Sequence, residues 1–254
     1  MKKILFFAVT MIALNSGADH TVETLVEKVF VPPTGFDSND NVLVMLDGTL
    51  ANQCQQVSDT DVRFDSENKV FYVRQMARVR STKECHRSPL PRHLGLPGYF
   101  SKEISFGVLS PGEYRVEFRG SSGWSSRSFV VSETQTESTD DEIYAPVSNF
   151  FVPEMMDETE SVQIVLTGVI GSRCLDWKSV EIERFNDIIV VKPKMQIVST
   201  KFCSITPWPL EKIISLGKLK AGRYMVHVRS MNGQGLSRMF SILPDVTDVR
   251  GGGY

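Results

Sequence analysis

Four cysteines, four histidines and many scattered carboxylates are the residues with the chemistry to cross-link, hold a metal or move a proton. Catalysis needs such residues in constellations: a nucleophile beside its base, paired acids, or glycines cradling a phosphate. The chain has no Gly-x-Ser-x-Gly elbow, no His-Glu-x-x-His and no Gly-x-Gly-x-x-Gly. His227 follows Tyr224 on the outward side of an alternating strand and reads as a surface residue with no nucleophile beside it. The expectation is a non-enzymatic protein with no cofactor and no metal.

The cysteines, Cys54, Cys85, Cys174 and Cys203, allow three pairings. A four-ligand metal site would want close Cys-x-x-Cys pairs, and none is present. Nearly equal stretches separate Cys54 from Cys85 and Cys174 from Cys203, which favours those two bridges. Each would stabilise by about 3–4 kcal/mol, and only in an oxidising compartment. The amino terminus agrees with export. Lys2 and Lys3 precede an apolar run from Ile4 to Leu14 and the small residues Ser16, Gly17 and Ala18, the pattern of a signal peptide over residues 1–18. A membrane-spanning helix needs about 20 apolar residues, so no transmembrane segment is expected in the mature chain. The place of action is periplasmic or secreted.

The elements that must carry these residues are written twice. Leu109-Ser110-Pro111-Gly112-Glu113-Tyr114-Arg115-Val116 returns as Leu219-Lys220-Ala221-Gly222-Arg223-Tyr224-Met225-Val226. Leu46 to Gly48 followed by Cys54 returns as Leu166 to Gly168 followed by Cys174, at a constant offset of 120. Around them lie short runs with β-branched or alternating patterns, such as Val42–Leu46, Val70–Val73 and Ile188–Val191, and no helical spacing. Seven to eight short strands are expected per copy. The copies span 19–132 and 143–250. Residues 133–142, holding Glu133, Glu137, Asp140, Asp141 and Glu142, read as a solvated acidic linker, and 251–254 as a flexible tail.

The Leu-x-x-Gly-x-Tyr-x-Val pattern with cysteine-bearing strands upstream resembles bacterial immunoglobulin-like and fibronectin-like β-sandwich domains. The resemblance covers nearly the whole mature chain, once per copy. It implies an all-β protein of two tandem Ig-like antiparallel β-sandwiches, each with one intradomain disulfide. It also implies that Tyr114 and Tyr224 send their hydroxyls back to backbone at a corner. The Cys…Trp…Cys pattern of antibody domains is absent: no Trp lies between Cys54 and Cys85, and Trp177 sits only three residues after Cys174. Fold does not imply function; secreted domains of this kind serve as spacers, adhesins, chaperones and binding units.

A net charge of -2 offers no basic footprint for nucleic acid. The main difference between the copies is the segment after Cys85, longer by eight residues in the first. It carries Arg87, Arg92, His93 and Tyr99 among three prolines, where the second copy has Trp208 between Pro207 and Pro209. Arg, Tyr and Trp are enriched at binding hot spots. The leading expectation is therefore a protein-interaction module of the envelope or cell exterior that binds a protein partner through its end loops. The alternatives are a protease inhibitor using Arg87 or Arg92 as specificity side chains, and an accessory glycan-binding pair of domains. The competing structural role for Tyr99 and Trp208 is to fold inward and close the sandwich ends.

Overall fold

A computed structural model describes residues 20–51, 54–80, 98–136, 138, 140–199 and 203–245. Among these residues there are strands and turns and no helix. The first half holds β1 (His20–Thr24), β2 (Val26–Phe30), β3 (Phe36–Asp37), β4 (Asn41–Thr49) and β5 (Gln55–Asp65). It continues with β6 (Val70–Val79), β7 (Tyr99–Val108), β8 (Gly112–Gly120) and β9 (Gly123–Ser132). The second half holds β10 (Val147–Phe151), β11 (Met155–Asp157), β12 (Ser161–Ile170) and β13 (Leu175–Phe185). It ends with β14 (Ile188–Ile197), β15 (Trp208–Lys218), β16 (Gly222–Ser230) and β17 (Gln234–Leu243).

Each half contains two sheets with the same strand order, except that sheet I has β1 in addition beside β6. Sheet I runs β1-β6-β8-β9-β3 with β5 on the far side of β6, and sheet II runs β2-β4-β7. Sheet III runs β11-β17-β16-β14-β13, and sheet IV runs β10-β12-β15. The pairing is mostly antiparallel, but β3–β9, β6–β8, β11–β17 and β14–β16 are parallel. This corrects the wholly antiparallel sandwich that the family resemblance implies. The chain leaves β6 for β7 in the other sheet and returns to β8, so β6 and β8 run the same way as a crossover requires.

The Tyr corners form in both halves. Tyr114 Oη donates to Ser110 O at 2.7 Å, and Tyr224 Oη donates to Lys220 O at 2.9 Å. Cys174 and Cys203 are joined, with Cα atoms 5.2 Å apart. Cys54 is also disulfide-bonded, and Cys85, its expected partner, lies outside the described residues.

Three apolar clusters occupy three successive interlayer spaces. One lies between sheets I and II and includes Val44, Leu46, Phe71, Val116 and Phe129. Another lies between sheets III and IV and includes Ile164, Leu166, Val191, Val226 and Phe240. The third joins the halves: Phe30 and Met45 from sheet II meet Ile188, Val190 and Met225 from sheet III, with Phe185 and Met239 at the margin. The molecule is therefore a four-layer stack in the order I-II-III-IV. Strand periodicity makes this possible. In β4, Val42, Val44 and Leu46 face sheet I while Leu43, Met45 and Asp47 face sheet III, and all six are buried. Removing each of the five apolar side chains from water contributes about 1.5–3 kcal/mol.

Charged groups close the junction at both ends of β16. Arg229 forms a two-pronged pair with Asp40, Nη1 to Oδ2 at 2.5 Å and Nη2 to Oδ1 at 2.6 Å, and Nη1 also donates to Gly35 O. At the other end Arg223 Nε donates to Asp47 Oδ2 at 2.7 Å and its Nη2 to Ser101 Oγ at 2.6 Å. Lys28 pairs with Asp187 across the same junction. Residues of the acidic linker, exposed or half-buried, are also hydrogen-bonded to it. Asp140 accepts the amides of Asn232 and Gly233 at 2.6 and 2.9 Å, and Ser138 O accepts Asn39 Nδ2.

His227 is the largest departure from the sequence reading. Expected on a wet face, it is 1% exposed, with its ring 5.7 Å from that of Phe36 and Nδ1 3.0 Å from Ser237 Oγ. Sheet II, together with Phe36 of β3, covers the face that alternation alone assigned to water. Burial, with the nearby Arg229 charge adding to it, drives the imidazole pKa down to about 3, so the ring is neutral.

Candidate interaction surfaces

The expected binding residues do not assemble into one site. Arg87, Arg92 and His93 lie outside the described residues. Tyr99 opens β7, is 46% exposed and lies under the Arg223 guanidinium, 5.8 Å from ring to cation. Trp208 pairs with Ile170 at the end of β12, packs on the cluster between sheets III and IV, and donates Nε1 to Ser172 O at 3.4 Å. Arg173 sits 5.7 Å from its ring. Trp208 thus closes the end of the second sandwich, the structural role weighed against binding. Tyr114 and Tyr224 are corner residues, as described above.

Among the described residues two sheet faces of the stack are uncovered, one at each end. The outer face of sheet I is polar and carries charges of both signs. Arg74 and Arg119 converge on Glu23 at 2.8 and 3.6 Å, and Arg115 pairs with Glu117 at 3.0 Å. Trp124, 58% exposed, meets Tyr72 edge to face at 6.2 Å. At one end of this face an open depression of about 460 Å³ is lined by Pro33, Asn68, Glu113, Tyr114, Arg115 and Ser128. Its lining includes no histidine and no nucleophile–base pair.

The outer face of sheet IV is apolar at its centre. Phe151 pairs with Val165, and Val165 with Ile213, so the three side chains form one row across three strands. Phe151 is 62% and Ile213 65% exposed, and Val169, farther along β12, is 58% exposed. Exposure of one apolar side chain is ordinary, but a contiguous row marks an interaction surface. The sequence reading passed over this row. Its signal was the pairs Phe150-Phe151 and Ile213-Ile214, since alternation obliges one member of each pair to point outward. Only the fold shows that the outward members share a row.

Among the described residues no group of three or more His, Cys, Asp or Glu side chains is placed to hold a metal ion. No helix is long and apolar enough to cross a membrane among those residues. No protein-family model, curated protein or solved structure matches this chain.

Proposed function

We propose that this chain is an exported, non-enzymatic protein-interaction module of the cell envelope or exterior, made of two tandem immunoglobulin-like sandwiches joined face to face. The exposed row Phe151–Val165–Ile213 carries the reading, because a three-strand apolar face is a cost in water that a partner would remove. The Cys174–Cys203 bridge supports an oxidising, extracytoplasmic location. Binding through a sheet face is the leading mode here, since Trp208 is engaged in its own sandwich and the segment carrying Arg87, Arg92 and His93 lies outside the described residues.

The test is affinity capture from envelope and extracellular fractions with three folded chains: unaltered, Ile213→Glu, and one with residues 87–98 shortened to the length of the second copy. Thermal melting verifies folding. A partner lost with Ile213→Glu and kept by the shortened chain is the expected result. Loss only in the shortened chain would return the site to the loop, in the interaction or protease-inhibitor mode. Capture unchanged by either alteration would rule out both surfaces. A glycan-binding reading is favoured by one observation, the Tyr72–Trp124 pair among arginines on sheet I. It requires that anionic oligosaccharides quench Trp fluorescence and that Trp124→Ala remove the response.

A further inference from the structure

The junction between the halves states what the free face of sheet IV is shaped to receive. Sheets II and IV have the same strand order, and equivalent rows cross them. In sheet II the row is Phe30–Met45–Glu103, in sheet IV Phe151–Val165–Ile213. The first is covered by sheet III: Phe30 and Met45 are 0% and 5% exposed, and Glu103 accepts hydrogen bonds from Ser237. The second is bare. The turn beside each row is also the same. Asp40 accepts the Asp37 amide and Asp37 accepts the Asn39 amide, while Glu160 accepts the Asp157 amide and Asp157 accepts the Thr159 amide. Asp40 receives Arg229 from sheet III, whereas Glu160 is exposed.

We propose that the outer face of sheet IV docks a β-sandwich sheet of the sheet III type, presented by a different polypeptide: an aliphatic row across the strands with an arginine at its end to meet Glu160. This deepens the protein-binding reading above and rests on it. The mating row in sheet III is Phe185–Ile188–Met225–Met239. A second copy of this chain has its sheet III already covered, and its free sheet I is the wrong mate. The row equivalent to Phe185–Ile188–Met225–Met239 in sheet I is Asp65–Val70–Arg115–Ser128, with Glu117 where sheet III has His227. The Arg115–Glu117 pair, Asp65 and Ser128 would be desolvated there against an apolar row. Sheet I is thus the polar cap of the stack, and sheet IV its open end.

The purified full chain tests this without the unknown partner. Arg115→Met, Glu117→His and Ser128→Met together give the centre of the sheet I row the sheet III chemistry, leaving Asp65 at the margin that Phe185 holds in the junction, and Arg119 already stands in the place of Arg229. Sedimentation velocity compares this triple variant with the unaltered chain. The unaltered chain stays monomeric. The triple variant associates head to tail in a concentration-dependent series, as a heterologous interface that does not close must. Adding Ile213→Glu weakens that association at least about tenfold, a hot-spot loss. A triple variant that folds and stays monomeric overturns the proposal, as do assemblies that survive Ile213→Glu. Self-association of the unaltered chain that Ile213→Glu abolishes also overturns it, by making a second copy the occupant. Failure here with successful capture in the envelope experiment would leave sheet IV a protein-binding face of another chemistry.

Discussion

Replacing Arg229 with Met isolates the energetic weight of the junction. The Asp40 and Arg229 side chains are 2% and 3% exposed, so neither charge has water to fall back on. The carboxyl of Asp40 has its pKa raised to about 6, because burial outweighs the pull of Arg229 and of the Asp37 amide. Without the guanidinium that pKa rises further, and at pH 7 the chain must bind a proton to fold or bury a bare carboxylate. Breaking a buried pair from one side costs about 3–5 kcal/mol, a large share of the about 5–15 kcal/mol that holds a domain. Asp40→Leu combined with Arg229→Met removes both charges and restores most of the loss. Urea unfolding at pH 7 and pH 5 measures it. A carboxyl with a raised folded pKa contributes stability that is full below its ordinary value and lost as pH rises through about 6. The raised value in the variant postpones that loss to higher pH, so its deficit against the unaltered chain shrinks on acidification. A deficit under about 1 kcal/mol at pH 7, or one that grows at pH 5, would refute the picture of a desolvated pair.

Three further outcomes follow from the same junction and from the second sandwich. His227, neutral with a depressed pKa of about 3, contributes stability that is present above its ordinary value and lost as pH falls towards about 3. His227→Asn should therefore flatten the acid limb of the stability profile, by up to about 1.4 kcal/mol per pH unit, and an unchanged limb would contradict the burial. Gly233 has φ of 64°, and a Cβ there would lie 2.4 Å from Asn39 O. Gly233→Ala should cost at least about 1–2 kcal/mol in chemical denaturation, whereas Gly171→Ala, which meets nothing within 4 Å, should be near neutral. Removing the Cys174–Cys203 bridge as a double Ala variant should cost about 3–4 kcal/mol, read as a lower melting temperature; equal melting of both chains would mean the loop is constrained without it.

Local features of this protein were legible before its fold. Tyr114 and Tyr224 make their corner bonds to residues four positions back, a distance a short motif can encode. The Cys174–Cys203 bridge lies within one copy, so repetition sufficed to favour its pairing. The interlayer contacts were harder to see, though a trace existed. Val42 to Leu46 and Ile188 to Val191 are unbroken apolar runs, and such runs belong to strands buried on both faces. His227 and Arg229 lie on the outward side of β16, and outward means wet only when nothing stacks on top.

Sequence alone determined the all-β class, the places of the strands, the corner tyrosines and the Cys174–Cys203 pairing, because each depends on period-two alternation or on residues close in the chain. Tertiary structure alone decided which sheet faces meet water. Phe30 and Phe151 occupy equivalent rows, yet one is wholly buried and the other 62% exposed. The difference is made by sheet III, whose strands lie more than a hundred residues from β2, and stacking between layers leaves no period in the strand it covers.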